Sequence, residues 1–232
     1  MSDGGPLELV DITIGLPGRV LVDCLCVTVA AGECVTVMGP SGCGKSSLLA
    51  YVAGTLEAAF AARGTVRIAG RDVTGLPPER RRAGILFQDD LLFPHLSVAG
   101  NLAFALPPSV RDRAERQRRV EAVLAELGLA GYGPRSPGTL SGGQRARVAL
   151  MRTLLAQPQA LLLDEPFNKL DAALRDDVRR FVFAHAAQRR LPVLLVTHDA
   201  ADALAAGGRV VELGGGPSPG DATSRPEISQ GH

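Results

Sequence analysis

The 232-residue chain has no tryptophan, two tyrosines and only two lysines, Lys45 and Lys169. Arginine therefore supplies nearly all the positive charge, and 25 basic residues against 24 acidic ones leave a formal net charge of +1. That balance makes no strong field for a polyanion, so nucleic acid is not expected as a partner. No apolar run approaches the roughly 20 residues that cross a bilayer. The start, Met1-Ser2-Asp3-Gly4-Gly5-Pro6, has neither the charged nor the apolar region of a leader. A soluble, cytosolic chain is expected, with any membrane role carried by a partner. Cysteine is confined to Cys24, Cys26, Cys34 and Cys43. No second pair stands at metal-ligand spacing, which argues against zinc, and reduced thiols suit the cytosol. On a strand, the i, i+2 spacing of Cys24 and Cys26 puts both on one face as a small apolar patch.

What is present is enough for a substantial core, since 46% of the residues are hydrophobic. Residues 7–14 alternate as a strand does, and 27–29 have β-branched character. Cys34–Met38 is an apolar run between Gly32 and Gly39, the pattern of a buried strand. Further strands are predicted over 65–69, 85–87, 160–163 and Val193–Val196. From 91 to 129 the pattern is helical, with Val120, Val123, Leu124 and Leu127 spaced as one apolar face. Interspersed arginine and glutamate between 111 and 126 make the opposite face solvated surface. Alternating helix and strand predict an α/β fold with a parallel sheet covered on both faces. The Gly-, Pro- and Ser-rich tail, 214–232, is expected to be disordered, and there is no internal repeat.

Between a predicted strand and helix lies Gly39-Pro40-Ser41-Gly42-Cys43-Gly44-Lys45-Ser46, which fits G-x-x-x-x-G-K-[ST]. Its glycines let successive backbone N–H groups turn inward around a β-phosphate, and the helix that continues through Ser47 presents its positive end. Lys45 is placed to reach the β- and γ-phosphates, and the Ser46 hydroxyl to ligate Mg²⁺. The run Ala160-Leu161-Leu162-Leu163-Asp164-Glu165 puts two carboxylates at the end of a buried strand. There Asp164 can hold Mg²⁺ through water and Glu165 can polarise an attacking water. Alone, the pair could also cap a helix.

A third element, Leu140-Ser141-Gly142-Gly143-Gln144-Arg145, reads as a helix start: Ser141 is a natural N-cap and the glycines allow close approach. These residues resemble the signature of ATP-binding cassettes, and the chain up to about Leu213 fits that pattern in order. The resemblance covers 39–46, Gln88 as the hinge glutamine, Ser141, Gly142, Gly143 and Gln144, then Asp164, Glu165, Asp171 and His198. It implies a nucleotide-binding domain over 1–213 with a P-loop core, an N-terminal antiparallel β subdomain and an α-helical signature subdomain at about 89–157. It further implies ATP and Mg²⁺ as ligands. Two copies would meet head to tail, each signature closing over the other's γ-phosphate, with His198 contacting that phosphate from the chain that supplies Lys45.

Two stretches depart from the family pattern. Asn168-Lys169-Leu170-Asp171 reads as the guanine-recognition motif N-K-x-D, but it begins four residues after Asp164 and no D-x-x-G precedes it. It stands instead where the family commonly has S-A-L-D; Asp171 matches, Asn168 and Lys169 do not. Where relatives carry an aromatic that stacks on adenine, this chain has Leu16, and no aromatic precedes Tyr51. Weak discrimination between ATP and GTP is expected. Cys43 lies inside the loop, so its alkylation is expected to block nucleotide binding.

The segment from Leu86 to Val98 resembles the hinge region of binding-protein-dependent importers, in which a groove receives a helix of the membrane subunit. Leu91, Leu92 and Phe93 could equally be core of the helical lobe. The implied partners are a second copy, transmembrane permease subunits and, indirectly, a periplasmic solute-binding protein, with the chain peripheral on the inner face of the membrane. An exporter ATPase and a non-transport cassette are the alternatives. The first lacks support because Arg135-Ser136-Pro137-Gly138-Thr139 replaces the usual exporter stretch, the second because no long coiled coil separates Gln88 from Ser141.

Overall fold

The computed structural model describes residues 4–214. The chain runs β1 (Leu7–Leu16), β2 (Arg19–Val29), β3 (Cys34–Met38), α1 (Lys45–Ala53), β4 (Ala61–Ile68), β5 (Arg71–Asp72), α2 (Pro78–Arg81) and β6 (Ala83–Leu86). It continues through α3 (Val98–Phe104), α4 (Arg113–Glu126), α5 (Gly142–Leu155), β7 (Ala160–Asp164), α6 (Ala172–Gln188), β8 (Val193–Val196), α7 (Ala200–Ala206) and β9 (Arg209–Glu212). Strands β2-β1-β4-β5 form an antiparallel sheet. Strands β6-β7-β8-β3-β9 form a parallel one.

The apolar runs explain the parallel sheet. β7 and β8 have side chains buried on both faces, and their alternate residues feed two separate cores. Leu161, Leu163 and Leu195 pack with α5 and α6; Ala160, Leu162, Leu194 and Val196 pack with α1 and the antiparallel sheet. The mainly parallel P-loop architecture and the N-terminal antiparallel sheet thus both stand as expected. Among the described residues no helix is long and apolar enough to cross a membrane.

The helical reading of 91–129 needs correction. Only α3 and α4 are helical there, because Pro94 and the Pro107-Pro108 pair each withhold a backbone N–H. Buried Asn101 replaces helical hydrogen bonds in the first break: its Oδ1 accepts from Phe93 N–H at 2.8 Å, and its Nδ2 donates to the carbonyls of Phe93 and Ser97. Ser97 and Asp112 then cap α3 and α4.

The apolar patch expected at Cys24 and Cys26 does not form. Asp11 and Cys24 both adopt positive φ where the β1–β2 register shifts, and both thiols are exposed beside polar partners. Cys26 Sγ donates to Asp11 Oδ1 at 3.3 Å, and Cys24 N–H donates to Thr13 Oγ1 at 3.2 Å. The edge strands β5 and β9 were not expected: β5 is two exposed polar residues, and β9 is only four long, with Val211 alone packed on the core. The expected disordered tail lies outside the described residues, apart from Gly214.

Candidate nucleotide and metal site

Everything in this site hangs from the C-terminal edge of the parallel sheet. β3 ends at Met38 and the chain enters the glycine loop that leads into α1. Gly39 must be glycine: its φ is 155°, and a Cβ there would sit 2.4 Å from the Leu213 carbonyl oxygen. Gly44, at φ 102°, caps α1 and presses against Leu21. Lys45 is only 7% exposed, and its Nζ donates to the carbonyls of Gly39 and Pro40 at 2.7 and 2.9 Å. The ammonium is thereby held inside the curve of the loop. Pro40, Ser41 and Gly42 form an exposed rim, with Ser46 exposed and Ser47 half-buried at the helix start. Cys43 contributes backbone only; its thiol is turned into the core against Gly39.

Ser46 and Asp164 meet. The Ser46 hydroxyl donates to Asp164 Oδ1 at 3.2 Å. Burial pushes the Asp164 carboxyl above its usual range; the Ser46 hydrogen bond opposes this, the charge of Glu165 adds to it, and Lys45 draws it back. A hydroxyl beside a carboxylate is a hard oxygen donor pair, which fits Mg²⁺ completed by water and phosphate oxygens. Among the described residues no group of three or more His, Cys, Asp or Glu gathers as a metal site.

Glu165 leaves the strand with φ 45°, a left-handed turn of the kind that costs about 1–3 kcal/mol and persists where surrounding structure enforces it. Its N–H donates to the Val196 carbonyl at 2.9 Å, which fixes that turn to β8. One carboxylate oxygen lies 3.1 Å from His198 Nδ1, and the other accepts a short hydrogen bond from the Asn168 amide. His198 follows β8 and its side chain is 61% exposed. Gln88 is exposed two residues beyond β6, and the pairing of Leu86 with Leu163 brings it to the same sheet edge.

Other predicted residues lie apart. Leu16 ends β1, 37% exposed, beside Arg19, whose guanidinium donates to the Gly42 carbonyl at 3.3 Å and ties the hairpin to the glycine loop. Ser141 and Gln144 form a reciprocal capping box at the start of α5. That helix belongs to the core opposite the one holding α1, so the structure does not bring the signature to its own phosphate loop. Asp171 caps α6, its Oδ1 accepting from Leu174 N–H at 3.0 Å.

Leu91 is exposed with φ 46°, Leu92 packs on the core, and Phe93 stands edge-on to Phe104 at 4.9 Å. Sequence reasoning missed the roles of Asn168, Lys169, Arg19 and Arg175. Asn168 and Lys169 carried a signal, their departure from the family's Ser-Ala; Arg19 and Arg175 carried none.

The family model described as ABC transporter matches residues 22–168, more than half of the chain. The chain belongs to the ABC transporter family. It is 47% identical over 192 residues to the uncharacterized ABC transporter ATP-binding protein YnjD of Escherichia coli, covering 83% of this chain and 88% of that one. It is 40% identical over 210 residues to the spermidine/putrescine import ATP-binding protein PotA of Nitrosomonas europaea, and 43% identical over 197 residues to the sulfate/thiosulfate import ATP-binding protein CysA of Mycolicibacterium paratuberculosis. These alignments cover 90% and 85% of this chain but only 57% and 54% of the two import proteins. As an ABC transporter ATPase domain the chain is an ATP-binding ATP hydrolase.

Proposed function

We propose that the chain is the ATPase subunit of an importer, acting as a head-to-tail pair on the inner face of the membrane. The nucleotide-binding unit is 1–213, with its helical part at about 89–157. Lys45 neutralises the β- and γ-phosphates; Ser46 and Asp164, with Gln88 alongside, would hold Mg²⁺, which would supply charge neutralisation at the phosphate oxygens. Glu165 accepts a proton from the attacking water, and His198 orients that carboxylate while facing the γ-phosphate. Leu16 gives the base an apolar contact. Asp171 lies in the loop that would face the second copy.

The observation that carries the paired site is at Gly142 and Gly143. Neither has a positive φ, and a Cβ at either would meet neighbours only at ordinary distances of 3.5 Å and beyond. Among the described residues nothing requires glycine at these first two positions of α5. Gly142 and Gly143 leave the first turn of α5 without side chains, as it must be if Ser141, Gly142, Gly143 and Gln144 close on a phosphate held by another copy. The importer reading is supported by relatives named as import ATP-binding proteins and by exposed Phe87, Leu91 and Phe104 beyond β6, an apolar surface for a permease helix. A solute-binding protein would act through that permease. One relative is named for polyamines and another for sulfate, so the solute is chosen by other subunits.

Mixing two inactive variants tests the pair. Lys45→Ala spoils the phosphate loop and Ser141→Arg spoils the signature. A heterodimer has one doubly damaged site and one intact site, so the mixture should regain hydrolysis. A mixture as inactive as its components would sink the shared site.

A further inference from the structure

Three consecutive residues after β7 reach three different catalytic segments. Asn168 donates its amide to Glu165. Lys169 pairs with Asp89, the residue next to Gln88. The Leu170 carbonyl accepts from Arg175 Nη2 at 3.0 Å, and Arg175 Nη1 donates to Asp199, beside His198, at 3.2 Å. Asp90, on the other side of Asp89, is bound by Arg145 of α5 at 2.7 Å, so the Gln88 segment is held between the signature helix and this loop.

Resting on the proposed function, we infer that residues 168–170 form a brace that sets Glu165, Gln88 and His198 relative to one another, with Asn168 acting as a positioning residue for Glu165. His198 and Asn168 take one carboxylate oxygen each. The rotation of the carboxylate is thus fixed from two sides, and the backbone turn at Glu165 is fixed by Val196. Asn168 and Lys169 are the positions where the chain departs from the small Ser-Ala of the family pattern. A serine is shorter than asparagine, and alanine has no charge to offer Asp89. The brace is therefore a property of this chain's own residues. Its members touch neither the glycine loop nor Leu16 in these contacts, so it acts on turnover and not on nucleotide capture.

The test is steady-state ATP hydrolysis by the purified full chain, with KM for ATP and the melting temperature measured alongside. Asn168→Ala should lower kcat about tenfold, because small misplacements of a catalytic group are costly, while KM stays within about twofold and melting is unchanged. Asn168→Gln, which keeps the amide donor, should recover part of the loss, whereas Asn168→Ser, too short to reach Glu165, should not. Lys169→Asp should lower kcat through repulsion with Asp89, and the swap Lys169→Asp with Asp89→Lys should restore it. Wild-type kcat in Asn168→Ala, or a swap no better than its single variant, overturns the brace. Glu165→Gln is the control. If it is inactive while Asn168→Ala is normal, only the brace fails; if it still hydrolyses ATP, the reading of Glu165 falls and the brace with it.

Discussion

The Ser46 hydroxyl and Asp164 Oδ1 stand 3.2 Å apart, joining the first turn of α1 to the last residue of β7. With this pair as the proposed Mg²⁺ ligands, the burial of Asp164 predicts metal binding that depends on pH. Burial raises the Asp164 carboxyl above its unfolded value. Its contribution to stability is therefore fully present at low pH and falls as pH rises from the ordinary carboxylate range through the raised value. Metal needs the ionised form, so the opposite holds for Mg²⁺: affinity should weaken as pH is lowered, beginning above the usual carboxylate range. Calorimetric titration of MgATP across pH should show this, and Asp164→Asn should flatten the profile and cost about 10–100-fold in Mg²⁺ affinity. An unchanged profile in the variant would remove Asp164 from the site.

Glu165→Gln keeps the shape of the side chain and gives up the charge that takes a proton. It should bind ATP as the native chain does, fail to turn it over and accumulate as a closed dimer. Sedimentation with and without MgATP checks this. A variant that stays monomeric with MgATP would contradict two chains sharing each nucleotide.

As the proposed contact for the base, Leu16 has only an apolar side chain to offer. Aromatic stacking on a base contributes about 1–3 kcal/mol, so Leu16→Tyr should tighten ATP binding by about tenfold or more. In the native chain GTP should compete almost as well as ATP. A strong native preference for ATP would show that another residue reads the base.

Thiol reactivity should divide the four cysteines in half. Cys24 and Cys26 are exposed, while Cys34 and Cys43 are buried. Burial, with a smaller contribution from Glu33, pushes the Cys34 thiol up to about 12, leaving almost no thiolate at neutral pH. Ellman titration should report two rapid thiols in the native chain and four after denaturation. Modification of Cys43 should require opening of the core, and once formed it should abolish nucleotide binding. A rapid third thiol would contradict the inward orientation of Cys43.

The parts readable from sequence were those where local chemistry and tertiary role coincide. β8 was bounded correctly at Val193–Val196 because every residue of it is buried and apolar. Ser141 was read as a cap because a serine hydroxyl serves the backbone within one turn, and the structure adds the return bond from Gln144. Leu91 and Phe93 misled, since apolar residues also line loops when a buried Asn101 supplies the backbone's hydrogen bonds. The contacts of Asn168, Lys169 and Arg175 were illegible for a related reason. Asn168 meets Glu165 only because of the left-handed turn between them, Asp199 comes to Arg175 only on folding, and no periodicity announces a hydrogen bond between Lys169 and Asp89, 80 positions apart.

The sheet that separates two cores also separates the footings of two motifs. The phosphate loop is rooted on the face lined by Leu162, Leu194 and Val196, while the signature helix and the surface beside Gln88 are rooted on the face lined by Leu161, Leu163 and Leu195. Alternate residues of β7 answer to different neighbours, so a side chain changed on one face of the sheet leaves the packing of the other face in place.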